Sequence, residues 1–186
     1  MSEIAVVSTP QHCATEMTIA DPRMILRTTG QETTMNVSPT VTKRTFDIPG
    51  GRLFTVLADP ETYPAWLVGA KRIRDISPDW PAPGSHFKHT VGFGPIAVPD
   101  KTSVRAVQEP EMLELMVRAR PVIEAVVHFH VIAMGPSSCQ LTMTETPAGA
   151  YKLIAPVSQP LIKARNERSL DRLAALIRDL RPNTTP

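Results

Sequence analysis

Cysteine is nearly absent: Cys13 and Cys139 are the only two in 186 residues, far apart and outside any C-x-x-C pair. That excludes a disulfide framework or a cysteine-rich zinc site as the organising feature, and a reducing, cytoplasmic setting is expected. Long apolar runs are also lacking. No stretch approaches the roughly 18 apolar residues of a membrane span. The opening MSEIAVVSTPQH carries Glu3 and no apolar core of a secretory leader, so neither secretion nor stable membrane insertion is expected. Charge of one sign is scarce: 20 Lys and Arg stand against 18 Asp and Glu, a net +2, with no block of like charge. Nucleic acid is therefore not an expected partner. The chain has no G-x-S-x-G elbow, glycine-rich phosphate loop or dinucleotide fingerprint. This disfavours hydrolase, kinase and nicotinamide-dependent dehydrogenase chemistry, and no cofactor is expected.

What the chain does have is proline, 19 of 186 residues, about twice the usual share of roughly 5%. Of these, 17 lie after residue 36, which predicts many short elements divided by sharp turns. Hydrophobic residues at 42% and charged residues at 20% argue for a folded chain rather than a disordered one or a coiled coil. The length suits one domain with one core. Residues 1–35, rich in Thr, Ser and Gln and without a sustained period of 2 or 3.6, read as a disordered tail. Met35 directly precedes a strand-like segment, which leaves open whether translation starts at Met1 or Met35. The domain is expected over residues 36–181, with 182–186 as a second disordered end.

Within the domain, Asn36 to Phe46 is rich in Val and Thr and predicts a strand closed by Pro49-Gly50-Gly51. Leu53, Val56 and Leu57 lie at helical spacing. Asp59-Pro60 stops that helix before a second short one, Glu61 to Leu67. Strand signals then follow at Lys71–Ser77, Ser85–Phe93, Ile96–Val107, Met112–Ala119, Val122–Ala133 and Cys139–Thr146, joined by short Gly- and Pro-bearing links that require antiparallel neighbours. The last segment predicts a helix capped by Ser158 or Gln159, with Pro160 in its first turn and Ile162, Leu170, Leu173, Ala174, Ile177 and Leu180 on its apolar face. One helix covers seven antiparallel strands only if the sheet curves around it. Such curvature leaves a space for a small molecule.

The stretches Leu57-Ala-Asp-Pro-Glu-Thr-Tyr-Pro-Ala-Trp66, Pro83-Gly-Ser-His-Phe-Lys-His-Thr-Val-Gly-Phe-Gly-Pro95, Glu145-Thr-Pro and Arg165-Asn-Glu-Arg-Ser-Leu170 resemble the polyketide cyclase/dehydrase branch of the START-like (SRPBCC), helix-grip superfamily, which includes the birch pollen allergen fold. The resemblance spans about residues 36–181. It implies an α+β helix-grip fold: a seven-stranded antiparallel sheet curved around a long C-terminal helix, with two short helices after strand one. It implies a pocket more firmly than a reaction, since this architecture serves carriers, receptors and cyclases alike.

Strand alternation assigns the pocket's inner wall. Phe87, His89, Val91 and Phe93 share one face of the third strand, and Val98, Asp100 and Thr102 share one face of the fourth. A hairpin turning at Gly94-Pro95 sets His89 against Asp100, a candidate acid-base pair. The alternatives are that the two satisfy each other structurally, or that a bulge near Pro99 turns Asp100 outward. Leu115, Val117, Phe129, Met143, Glu145, Asn166 and Leu170 complete the expected lining, with Tyr63, Trp66 and Tyr151 at the pocket mouth. Glu145 calls for a cation, with Arg165 preferred over a ligand's polar end, and Asn166 on the buried stripe needs a partner. His128 and His130 fall opposite the apolar set Ile123, Ala125, Val127, Phe129 and Val131, so they read as part of a solvated face and no metal is expected. The leading expectation is binding of a hydrophobic or aromatic small molecule, lipid- or polyketide-like. The rivals are a cyclase or dehydratase using His89 and Asp100, and, more weakly, a protein-interaction module using the basic face of the C-terminal helix.

Overall fold

The computed structural model describes residues 38–93, 96–119, 123–153 and 155–180, all within the unit Thr34–Pro186. The expected tails therefore lie outside the described residues. Strand β1 (Thr40–Phe46) leads into helix α1 (Gly50–Ala58), a 3-10 turn (Pro60–Thr62) and the short helix α2 (Tyr63–Trp66). Six strands follow: β2 (Ala70–Ile76), β3 (His86–Phe93), β4 (Ile96–Gln108), β5 (Met112–Ala119), β6 (Ile123–Gly135) and β7 (Ser138–Pro147). A second 3-10 turn (Gly149–Leu153) precedes the 25-residue helix α3 (Ala155–Asp179).

The sheet order is β1-β7-β6-β5-β4-β3-β2 with every neighbouring pair antiparallel. Consecutive strands pair through short turns, and the first strand closes onto the last, leaving β1 and β2 as edges. Register shifts interrupt β2, β4 near Val104–Ala106 and β6 near Ala133–Gly135. Each such bulge bends its strand and increases twist, which lets the sheet present a concave face to one helix.

Strand one begins at Thr40, later than the expected Asn36; Ser38 and Pro39 are described but lie outside it. Pro39 has no N–H to give a ladder. Helix α3 begins at Ala155, before the expected cap at Ser158 or Gln159, and Pro160 lies inside it. The proline removes only one backbone bond, that to the carbonyl of residue 156, so close to the start that the later turns are uninterrupted. Gln159 ties α3 to the approach to β1 instead, its Nε2 donating to the Ser38 carbonyl at 2.7 Å.

The core follows the two periodicities. Cys139, Leu141 and Met143 of β7, Val127, Phe129 and Val131 of β6, and Leu113 and Leu115 of β5 point inward, as alternation requires. From α3, Ile162, Asn166, Ser169, Leu170, Leu173 and Ile177 are buried at intervals of three and four. Helices α1 and α2 plug one end with Leu53, Phe54, Leu57, Tyr63 and Trp66. Burial pushes the Cys139 thiol up, which makes it an inert packing group.

Candidate functional site

Between the concave sheet and α3 lies a cavity of about 80 Å³. Its walls come from β3 and β4 (His89, Val91, Asp100, Thr102), β5 and β6 (Leu115, Val117, Ala125, Val127, Phe129), β7 and α3 (Met143, Glu145, Arg165), and α2 with the turn after it (Tyr63, Leu67, Val68, Ala70). Two polar groups interrupt this apolar lining.

The first is the β3–β4 pair. The register sets His89 opposite Asp100 and Phe87 opposite Thr102, with no bulge at Pro99, so all four point inward. His89 is 2% exposed and Asp100 6%. Asp100 Oδ1 accepts from the Lys101 backbone N–H at 2.6 Å, while Oδ2 lies 3.1 Å from His89 Nε2. Thr102 Oγ1 is also 3.1 Å from that nitrogen and is aligned for a hydrogen bond with it. A carboxylate oxygen at this distance is an acceptor, so the ring hydrogen belongs on Nε2. Nε2–H then donates to Thr102, and Nδ1 keeps its lone pair. His89 Nδ1 and Asp100 Oδ2 are both buried without a directed hydrogen-bond partner among the described residues. Each such group costs about 1–3 kcal/mol, so the wall carries an unmet demand for one donor and one more polar contact.

The second group is built by β7 and α3. Glu145, 3% exposed, is ion-paired to Arg165 Nη2 and accepts from Asn166 Nδ2 at 3.1 Å. Arg165 also donates to Asn166 Oδ1, from Nε at 3.2 Å and from Nη2 at 2.9 Å. The carboxylate is thus satisfied within the protein, as the sequence favoured. Ser169, one turn on, accepts from the Val68 N–H at 3.1 Å and donates to the Arg165 carbonyl at 2.9 Å, clamping the turn after α2 onto α3.

Of the residues expected to line the space, Tyr63, His89, Val91, Asp100, Thr102, Leu115, Val117, Phe129, Met143 and Glu145 border it. The Phe93 side chain lies outside the described residues. Five others do not border it. Trp66 is 0% exposed and belongs to the core, edge-on to Tyr63 and Phe129, with its indole N–H on Thr62 Oγ1 at 3.1 Å. Phe87 is enclosed by the rings of Tyr63, Trp80 and His89. Asn166 is covered by its own bonds to Glu145 and Arg165, Leu170 packs in the core, and Val98 is half-buried beyond the cavity wall. Alternation fixes a residue's face, but not its depth along the strand. Tyr63 presents only its ring, because its hydroxyl donates to the Leu57 carbonyl at 2.8 Å; burial, with Asp59 nearby, drives its ionisation far above the working range. Tyr151 is buried rather than placed at a mouth.

The reading from sequence omitted Leu67, Val68, Ala70, Ala125, Val127 and Arg165 from the lining. Ala125 and Val127 share the inward face of β6 with Phe129 and were recoverable from that alternation. The stretch Leu67–Ala70, from the end of α2 to the first residue of β2, carries no period and gave no signal. His128 and His130 face outward with ring centres 6.2 Å apart, and among the described residues no group of three or more His, Cys, Asp or Glu gathers as a metal site. No helix among the described residues is long and apolar enough to cross a membrane.

No family model and no curated protein matches the chain in sequence. Solved structures do match in shape. A conserved protein from Geobacillus kaustophilus superposes with a TM-score of 0.62 at 15% identity, covering 76% of this chain and 95% of that one. A norcoclaurine synthase point mutant from Thalictrum flavum, in complex with a transition-state analogue, gives 0.57 at 16% identity over 76% and 94%. A START superfamily protein from Mycobacterium smegmatis gives 0.56 at 16% identity over 76% and 94%. With seven antiparallel strands curved on a long C-terminal helix and these neighbours in shape, the chain has the helix-grip fold of START-like proteins.

Proposed function

We propose that this protein binds a small, mainly apolar molecule bearing one hydrogen-bond donor, held between the sheet and α3 with its polar end on His89. The observation that carries this reading is the pairing of an apolar cavity with two unsatisfied buried atoms, His89 Nδ1 and Asp100 Oδ2. A donor from a ligand removes the cost of the bare nitrogen, and the apolar walls take the rest of the molecule. Size sets a limit. About 80 Å³ is less than the ~150 Å³ of an engineered cavity that admits benzene. Even a single ring therefore requires some parting of the walls, and a lipid or a polycyclic polyketide requires α3 or the turn after α2 to move outward.

A second reading, acid-base catalysis on a polyketide-like substrate, is favoured by the same pair. On this reading Asp100 orients the imidazole and His89 Nδ1, buried without a hydrogen-bond partner among the described residues, would take a proton from a carbon next to a carbonyl. Aldol cyclisation would use that step and return the proton from the imidazolium to the oxyanion that forms; dehydration would use it too, the imidazolium giving the same proton to the hydroxyl that leaves as water. The solved norcoclaurine synthase supports the compatibility of this fold with catalysis, without assigning a reaction here.

Comparative titration of phenol and toluene, read by NMR on the methyl groups of Leu115 and Val127, tests the binding reading. Phenol is expected to bind more tightly than toluene by roughly 2- to 13-fold, the value of one net hydrogen bond. His89→Leu is expected to abolish that preference while keeping toluene binding. Equal affinities in the unsubstituted protein, or shifts confined to methyls elsewhere, would overturn it. For the catalytic reading, His89→Gln and Asp100→Asn are each expected to lower turnover of a polyketide substrate about a hundredfold or more with affinity retained; unchanged turnover in both contradicts it.

A further inference from the structure

We propose that the convex face of the sheet carries a second site, a cleft between Arg74, Lys88, Lys101 and Arg118 that binds a small, soluble diphosphate-type anion. The cleft has a volume of about 220 Å³, with Pro99 and Asp100 completing its wall. Its cations arise from strand alternation, since all four occupy outward positions. The register then aligns them: Arg74 opposes Lys88, Lys88 opposes Lys101, and Lys101 opposes Arg118. Four positive side chains thus stand directly across from one another on four adjacent strands, their backbones spanning roughly 14 Å at about 4.8 Å per strand.

Like charges directly opposite destabilise a sheet, so such a row is unfavourable unless something negative lies on it. Elsewhere on this face the sheet alternates sign, as Arg105 with Glu114 at 3.3 Å shows. In the row itself, Arg118 Nε meets Glu124 at 3.0 Å and Lys88 Nζ meets Asp75 at 2.6 Å. Asp75 reaches Lys88 from a bulged position with φ of 54°. Arg74 and Lys101 have no carboxylate within 4 Å among the described residues, so that, with Asp100 in the wall counted beside Asp75 and Glu124, the cleft keeps a formal excess of one positive charge. The hydrogen bond and charge of Lys88, with His86 and Arg74 behind them, hold the Asp75 carboxyl below its usual range.

Shape and chemistry select the occupant. A recess whose exposed lining side chains are cationic, the Asp100 carboxylate being buried on the inner side, focuses its field and concentrates counter-ions. A cleft of this volume suits an anion of a few atoms better than a membrane plane or an extended polymer. Guanidinium groups at the two ends offer planar, paired donors to phosphoryl oxygens, and the lysines between them supply point charges. The proposal stands independently of the inner cavity, although Asp100 borders both spaces and places them back to back across β4.

Calorimetric titration with sodium diphosphate at low ionic strength, where surface charge is least screened, tests this. Saturable binding is expected, weakened roughly tenfold or more in Lys101→Gln and in Arg74→Gln, each loss being that of a charged hydrogen bond. Lys163→Gln, which removes an exposed cation from α3, is expected to leave it unchanged. Toluene binding in the inner cavity should be unaffected by either cleft substitution, which keeps this test separate from that of the cavity. Absence of saturable binding, or equal weakening by Lys163→Gln, would overturn the site. Tighter capture by phosphatidylserine vesicles than by diphosphate, lost in the same two variants, would assign the face to a membrane and also overturn it.

Discussion

Glu145 and Arg165 show what a buried charge demands of its neighbours. Glu145 is almost fully enclosed, yet both Arg165 and Asn166 donate to it, and Arg165 keeps part of its side chain in solvent. Removing the cation strands the carboxylate. Arg165→Met is therefore expected to cost about 3–5 kcal/mol, the usual penalty for breaking a buried pair from one side. The double variant Arg165→Met with Glu145→Leu should recover much of that loss. Thermal or urea unfolding of the two variants checks this, and a single variant as stable as the parent contradicts it. His89 differs because its partners leave one nitrogen unmet. At this scale the sequence was informative where alternation and hairpin register decide the outcome: the facing of His89 and Asp100 follows from counting outward from Gly94-Pro95, and the Glu145–Arg165 contact from the inward face that Glu145 shares with Leu141 and Met143, where a carboxylate calls for a cation. It was uninformative about depth. Trp66 and Val98 carry the residue types and faces of a pocket lining, but one is sealed in the core and the other lies beyond the wall, and no periodic pattern encodes that distance.

Among the elements, α3 does the most to define the space, and Ser169 is its link to the turn after α2. The Ser169 hydroxyl accepts from the Val68 N–H while donating to its own helix. Val68 lines the cavity, so this bond fixes one wall. Ser169→Ala leaves a backbone donor unpaired at a part-buried position and is expected to cost about 1–3 kcal/mol. The telling observation is local: the Val68 amide should exchange with deuterium much faster than in the parent, while amides in β5 and β6 keep their protection relative to global unfolding. Uniform loss of protection would mean that the bond serves global stability rather than this wall. Element order and strand pairing were legible because turn chemistry falls between alternating segments. The helix start was not, since Pro160 signals a first turn wherever it occurs, and only the chain's packing allows an earlier start with one backbone bond forgone.

At the scale of the whole molecule, the arrangement follows from one shortage: a single long helix must cover the inward side of seven strands. Bulges in β2, β4 and β6 curve the sheet, the short helices fill one end, and the remaining gap is the cavity. The outward side is left to charge, which is why a basic cleft forms behind the same strands that hold His89. The central claim is that the gap receives a polar-ended apolar molecule at His89. Long-range proton–nitrogen NMR of the His89 ring during phenol addition tests it most directly. The free protein should show the Nε2-protonated form with a bare Nδ1, and phenol should move the Nδ1 signal most among the ring nitrogens of all histidines. A free protein protonated on Nδ1, or a His89 ring unmoved by phenol that shifts other histidines, would contradict it.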